Sequence, residues 1–246
     1  MRITVLGGCG AWPAAGQACS GYLVEHEGFT VLLDPGCAVL PALLARLPPD
    51  AVDAVLVTHG HPDHCADLSP LLRARVLGPT VTDALPVYAP QGAVDAVLAL
   101  DSPHLLADAY DLRAIADDSR YEVGPFRLTT RALPHHVPNL GMRLTADGVT
   151  LAYTGDTGPS PDIAVLADSA NVLLAEATFV EETPVDDRAY LSTARQAGEY
   201  AAAAGVGRLV LTHLWPGTEP NAAADAARHA FNGPVDIAGP SLSLTP

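Results

Sequence analysis

The apolar run Val52-Asp53-Ala54-Val55-Leu56-Val57 ends in Thr58-His59-Gly60-His61-Pro62-Asp63-His64-Cys65, and this junction limits the fold more than any other stretch. The run reads as a buried strand. His59, His61, Asp63 and His64 then crowd the loop that follows. Imidazole nitrogen and carboxylate oxygen are the donors that Zn²⁺ and related divalent cations accept. Four such groups buried together without a cation to compensate them would be costly. A strand that hands ligands to a loop is a common arrangement in layered α/β proteins, whose sites lie at strand ends.

Three more segments repeat that grammar of strand, ligand and Gly- or Pro-containing turn. His135, with His136 beside it, follows a predicted strand at 125–133. Asp156 lies in Thr154-Gly155-Asp156-Thr157-Gly158, after Leu151-Ala152-Tyr153. His213 follows Leu209-Val210-Leu211-Thr212. Strand ends converging on one rim would gather seven ligands, enough for two cations. His59, His61 and His135 would hold one; Asp63, His64 and His213 would hold the other. Asp156 would bridge them, since a carboxylate has two oxygens and a neutral imidazole one free lone pair. A water shared by two cations loses a proton near neutral pH and supplies a hydroxide nucleophile.

Other groups are assigned from their neighbourhood. Asp63 is expected to orient the nucleophile or accept its proton. His136, or a water, is the candidate donor to the leaving oxygen, although adjacent strand residues face opposite sides. Ligand imidazoles need an acceptor for the second N–H, and Asp53 and Asp67 are both candidates. His26, His104 and His229 are given no role, and Cys65 is read as a buried small residue.

Short strands are expected at 2–6, 21–25, 29–33 and 52–57, and later at 86–89, 125–133, 140–146, 149–154, 171–176 and 207–212. A final strand is placed near 235–244. Helices are expected at 38–46, 67–75, 91–100, 160–168, 192–204 and 221–230; residues 101–119 are ambiguous. Antiparallel pairing dominates early in each half and α/β alternation comes later. That order predicts two mixed sheets packed face to face with helices outside, in one domain spanning residues 1–246.

The 28 acidic residues outweigh 13 basic ones, all arginine, for a formal charge of −15. Affinity for long nucleic acid comes largely from basic contacts to phosphate, so RNA and DNA are poor partners. A small anion remains open, because bound cations invert the local charge. No apolar segment is long enough for a membrane span, and the start lacks a leader pattern, so a cytoplasmic protein is expected. The four scattered cysteines read as reduced. A homodimer is the expected assembly, from the frequency of two-fold symmetry.

His59-Gly60-His61-Pro62-Asp63-His64, with His135, Asp156 and His213 downstream, resembles the His-x-His-x-Asp-His hallmark of the metallo-β-lactamase superfamily. The resemblance implies a four-layer αββα sandwich and a metal-dependent hydrolase. Leu174 to Phe179 and Leu191 to Ala194 resemble two segments of the ribonuclease Z-like branch, with Ala175 and Leu191 standing where that branch has histidines. Only about twenty residues separate His135 from Asp156, too few for the tRNA-gripping arm of ribonuclease Z. Ser20 to Leu23, Asp63 to Leu68, Tyr153 to Gly158 and Leu211 to His213 are similar to atypical class II bacterial cyclic-nucleotide phosphodiesterases. The implied reaction is hydrolysis of a small cyclic nucleotide, foremost 3′,5′-cyclic AMP. The alternatives are a lactonase or thiolesterase, and a nucleotide-binding metalloprotein without turnover. Two divalent cations are expected, zinc foremost, with manganese or iron compatible.

Overall fold

The computed structural model describes residues 1–246, the side chain of Pro103 excepted. Its strands are β1 (Arg2–Cys9), β2 (Ala18–Cys19), β3 (Gly21–His26), β4 (Phe29–Leu33), β5 (Ala54–Leu56), β6 (Leu85–Pro90), β7 (Tyr110–Ile115) and β8 (Arg120–Val123). They continue with β9 (Phe126–Leu133), β10 (Asn139–Ala146), β11 (Val149–Tyr153), β12 (Val172–Glu176), β13 (Leu209–Thr212), β14 (Val235–Ile237) and β15 (Ser243–Leu244). The helices are α1 (Val39–Leu44), α2 (Pro62–Cys65), α3 (Leu68–Leu77), α4 (Asp95–Leu98), α5 (Pro103–Leu106), α6 (Pro161–Leu166), α7 (Ala194–Ala204) and α8 (Pro220–Arg228).

One sheet has the order β15-β1-β3-β4-β5-β6-β7, with β2 beside β1; the other runs β14-β13-β12-β11-β10-β9-β8. In both, antiparallel pairs come first and parallel pairs follow: β1, β3 and β4 are antiparallel while β4 to β7 are parallel, and β8 to β11 are antiparallel while β11 to β14 are parallel. The two halves therefore repeat one plan, as the order of predicted elements implies.

Alternation along each strand decides which layer a side chain joins. Tyr22, Val24, Val31, Leu33 and Leu56 point between the sheets, where they meet Phe126, Met142, Leu151, Tyr153 and Leu174 of the other sheet. Leu23, Leu32 and Val55, one residue out of phase, face α1 and α3. Leu173, Ala175, Leu209 and Leu211 face α6, α7 and α8. Both faces of the inner parallel strands are thus buried, which explains why β5, β12 and β13 read as continuous apolar runs. The layers are helix, sheet, sheet, helix.

α7 shows why an alanine-rich segment suffices. Thr193 and Gln196 form a reciprocal capping box, and Gly205 ends the helix in left-handed conformation. Ala194, Ala197, Ala201 and Ala204 form its buried stripe, and small side chains bring the helix close to the sheet.

Four expectations change. The helix placed at 91–100 shrinks to α4. Residues 101–119 hold α5 and the edge strand β7. β8, not expected, forms a hairpin with β9. The strand near 235–244 is two strands in different sheets: β14 pairs with β13, and β15 crosses to pair with β1. No described helix is long and apolar enough to cross a membrane.

Candidate metal centre

The candidate ligands emerge from both sheets at the rim where the parallel strands end. Past β5, the buried Thr58 and His59 lead into α2, with Pro62 in its first turn. Pro fits there because the first helical N–H needs no intrahelical partner. The turn displays Asp63 and His64. His135 follows β9, Asp156 follows β11 and His213 follows β13. Two buried residues at this rim take left-handed backbone, Asp34 (φ 50°) and His213 (φ 57°). Such strain persists where the surroundings over-determine it. The end of β1 approaches so closely that a Cβ on Gly10 would lie 2.8 Å from His213 Nδ1.

All seven residues converge, in two groups that share Asp156. His59, His61, His135 and Asp156 form one; Asp63, His64, Asp156 and His213 form the other. His61 Nδ1 lies 3.2 Å from His59 Nε2 and 3.1 Å from His135 Nε2. His213 Nε2 is 3.1 Å from Asp63 Oδ2 and 3.1 Å from Asp156 Oδ2. Two donors bound to one tetrahedral cation at about 2.0–2.1 Å stand roughly 3.3 Å apart. The spacing therefore suits donors that share a cation. A second observation agrees. His64 Nε2 and Asp156 Oδ1 lie 3.1 Å apart, yet both are buried without a hydrogen-bond partner. Buried polar atoms are rarely left so; a cation would satisfy both.

The outward nitrogens fix the tautomers. His64 Nδ1 donates to Asp34 Oδ2 (2.8 Å). His135 Nδ1 donates to the Tyr190 carbonyl (2.9 Å). Thr58 Oγ1 donates to Asp34 Oδ2 and so accepts from His59 Nδ1 (3.1 Å). Thr178 Oγ1 donates to Glu176 Oε1 and accepts from His213 Nδ1 (2.8 Å). In all four rings Nδ1 has an acceptor outside the cluster, so each ring, when neutral, aims its Nε2 lone pair inward. Without a cation, and against the effect of burial, the neighbouring carboxylates raise His64 and His213 above the usual imidazole range. His61 alone presents Nδ1.

Asp34 is the organiser that the sequence reading missed. Its carboxylate accepts from Thr58 N, Thr58 Oγ1, His64 Nδ1 and Tyr153 Oη. The available signal was Leu33-Asp34-Pro35-Gly36, another strand end followed by a Pro-Gly turn. Asp53 and Asp67 reach no histidine: Asp53 accepts from Thr30 N and Asp67 from Leu40 N, each at 2.7 Å. Their carboxylates are taken by backbone donors of neighbouring segments. His136 turns outward, its ring tilted against Tyr190 with centroids 4.4 Å apart and Nε2 3.9 Å from Asp187 Oδ1. The Cys65 thiol is pushed up to about 12 by burial and donates to the His61 carbonyl.

Burial holds His59 and His61 below the usual imidazole range and brings His135 to about 4. These rings are neutral, and so able to ligate, at physiological pH. Burial opposes ionisation of Asp156 and Asp63, but His213 and His64 outweigh it and hold both carboxyls below their ordinary value. At Glu176 the balance falls the other way: burial, then the Asp156 charge, outweigh His213 and the Thr178 and Thr157 donors and raise it to about 8.

A profile of the beta-lactamase superfamily domain matches residues 29–214. A probable metallo-hydrolase of Bacillus subtilis (strain 168), YhfI, is 32% identical over 243 residues, covering 97% of each chain. The YhfI crystal structure superposes with a TM-score of 0.90 over 99% of both chains. Ribonuclease Z of Mycobacterium sp. (strain KMS) is 32% identical over 264 residues, covering 96% of this chain and 92% of that one. Human tRNase Z, short form, shares the fold, with a TM-score of 0.80 at 22% identity over 100% of this chain and 99% of that one. The two-sheet sandwich, the histidine-rich rim and these likenesses agree: the chain belongs to the beta-lactamase superfamily, with the metallo-β-lactamase fold, on its ribonuclease Z-like branch.

Proposed function

We propose that the chain is a metal-dependent phosphodiesterase that uses two divalent cations, zinc foremost, to hydrolyse a small cyclic nucleotide, with 3′,5′-cyclic AMP as the leading substrate. The observation that carries this reading is the pair of four-residue groups meeting at Asp156. His59, His61 and His135 would hold one cation, Asp63, His64 and His213 the other, and Asp156 both. When bound, such a pair supplies charge neutralisation for a phosphodiester and water acidic enough to attack it at neutral pH.

The chain's own residues supply position and charge. Asp63 and Asp156 bring the negative charge of the cluster, which two divalent cations more than offset, so the site attracts an anion in an acidic protein. Asp63 Oδ2 is pinned by the Ala11 N–H at 2.9 Å. Asp63 would thus hold its cation with its carboxylate aimed by the β1 end, where it can accept a hydrogen bond from the attacking water. Solvent, or His136 if it turns from Asp187 toward the cluster, would supply the proton to the leaving oxygen.

Phosphodiester chemistry is supported by the likeness to a ribonuclease over almost the whole chain. A small substrate is supported by the segment between His135 and Asp156. Here β10 and β11 are joined by Asp147-Gly148 alone, both with positive φ (47° and 77°), the backbone of a two-residue hairpin. Nothing in that interval is available to grip tRNA. The test is to offer cation-loaded protein cyclic AMP, bis(p-nitrophenyl) phosphate and an acyl-homoserine lactone. Turnover of the phosphodiesters is expected; turnover of the lactone alone would replace this reading with carboxyl-ester hydrolysis.

A further inference from the structure

A cleft of about 430 Å³ is lined in part by Leu214 and Trp215, the two residues that follow His213. Its walls include Gly8, Cys9, Gln17, Trp215, Ile237 and Ala238. None of its lining residues is charged, in a chain with 28 acidic and 13 basic side chains. Its size falls within the range of small-ligand pockets, roughly 300–1,000 Å³. Uncharged walls suit a neutral ring and offer nothing to a phosphate.

Its place follows from connectivity. Gly8 and Cys9 end β1; Gly10 then lies against the His213 ring, and the Ala11 N–H binds Asp63. Leu214 and Trp215 directly follow His213. Ile237 ends β14, which runs parallel to β13, so Ala238 and Gly239 lie at the same end of that sheet as His213. The cleft is thus lined by the residues that immediately precede Gly10 and immediately follow His213.

The cleft also has a prepared aromatic wall. Trp215 is 39% exposed and Trp12 47%. Their rings meet edge to face, with centroids 5.0 Å apart and planes at 86°. Phe179 stacks against Trp215 at 6.1 Å and 17°. Trp215 is thus a large aromatic ring held by two others, lining the cleft and still partly open to solvent, which is what a stacking partner for a planar group requires. Beside it the Gln17 carbonyl takes the Cys9 thiol at 3.3 Å, which leaves the Gln17 –NH₂ as a donor for a base nitrogen or carbonyl.

We propose that this cleft is the subsite for the purine or pyrimidine base of the substrate, with Trp215 as its stacking wall and Gln17 at its polar edge. The assignment rests on the phosphodiesterase reading for the phosphate end and adds the group that distinguishes a nucleotide from other phosphodiesters.

Trp12 and Trp215 are the only tryptophans of the chain, so its intrinsic fluorescence reports this wall. Cation-loaded full-length protein should be titrated with AMP and with ribose 5-phosphate, which lacks the base, by calorimetry and by tryptophan emission. AMP should bind more tightly by the worth of one base–aromatic stack, roughly 5- to 150-fold, and should quench the emission. Trp215→Ala should bring AMP down to the affinity of ribose 5-phosphate, and Trp215→Phe should restore most of the gap. Equal affinities in the unmodified protein would overturn the assignment without reliance on any variant, as would a gap that survives Trp215→Ala. A base-dependent gap with no phosphodiester turnover would sink the phosphodiesterase reading and leave the subsite standing. Turnover of cyclic AMP with no gap would do the reverse.

Discussion

Asp34→Asn is a near-isosteric change whose effect follows from hydrogen-bond polarity. Asp34 Oδ2 accepts from His64 Nδ1, Thr58 Oγ1 and Tyr153 Oη, while Oδ1 accepts from Thr58 N. An asparagine has one acceptor to offer where the carboxylate has two. If its –NH₂ takes the Oδ2 position, the hydroxyls of Thr58 and Tyr153 can rotate, but His64 must turn Nδ1 into an acceptor and carry its proton on Nε2. That nitrogen then has no lone pair for a cation. If the amide is reversed, the –NH₂ confronts the Thr58 N–H, and a buried donor is left without an acceptor, at a cost of about 1–3 kcal/mol. Either way a hydrogen bond to a charged acceptor, worth about 1.5–3 kcal/mol, is lost. Partners of this kind typically govern about 10- to 100-fold of metal affinity. The expected result is that the cation held by Asp63, His64 and His213 is released at 10- to 100-fold lower chelator concentration, while the one at His59, His61 and His135, which Asp34 reaches only through the Thr58 hydroxyl, is weakened less. The stripped variant should also melt about 3–12 °C lower, from that hydrogen-bond energy in a chain of this size. Two cations held as tightly as in the unmodified protein would refute the tautomer argument.

Asp156→Ala removes the one carboxylate common to both groups; elemental analysis should show loss of at least one cation, with nearly all hydrolysis gone. Gly10→Ala would place a methyl 2.7 Å from the His213 carbonyl oxygen and 2.8 Å from Nδ1; activity should fall more than about 10-fold with an unchanged circular dichroism spectrum, and an unaffected rate would mean that β1 does not brace His213. Glu176, raised to about 8 in the fold by burial and the Asp156 charge, ionises near 4.5 when unfolded, so metal-free protein loses this group's stability as pH climbs from 4.5 through 8. Glu176→Gln mimics the protonated form, and its Tm relative to the unmodified protein should therefore be higher at pH 8.5 than at pH 5.5; equal differences at the two pH values would show that Glu176 is not held protonated.

Much of the layer plan could be read before the structure, because strands buried on both faces leave apolar runs and each candidate ligand sits just past such a run. Val52 to Val57 followed by the histidine loop is the clearest case. The edges were harder. β7 carries Asp111, Leu112, Arg113 and Ala114 all exposed, so it lacks the alternation that marks a half-buried strand. The 91–100 segment has helix-forming composition, but Gly92 takes a φ of 79° and opens a turn, and Ser102-Pro103 follows. β14 and β15 read as one strand because nothing local announces that Gly239-Pro240 passes from one sheet to the other. Asp34 was passed over for a similar reason: an aspartate before Pro-Gly is ordinary turn chemistry, and its four donors come from segments 24 to 119 positions away in sequence. Asp53 and Asp67 looked equally suitable, being closer in sequence to the histidines, but fold geometry gave each to a backbone amide.

The pairing of β15 with β1 sets Leu244 opposite Ile3. These two segments therefore lie side by side, at the end of β1 remote from Cys9. Eight residues of strand, about 25 Å at the usual rise, separate that corner from Gly10 and His213. A fluorophore carried on the exposed Arg2 or Ser243 would sit at that corner, away from His213. Shaving off the last four residues would be far less benign, since it would strip β1 of its outer neighbour and offer a bare strand edge to other molecules.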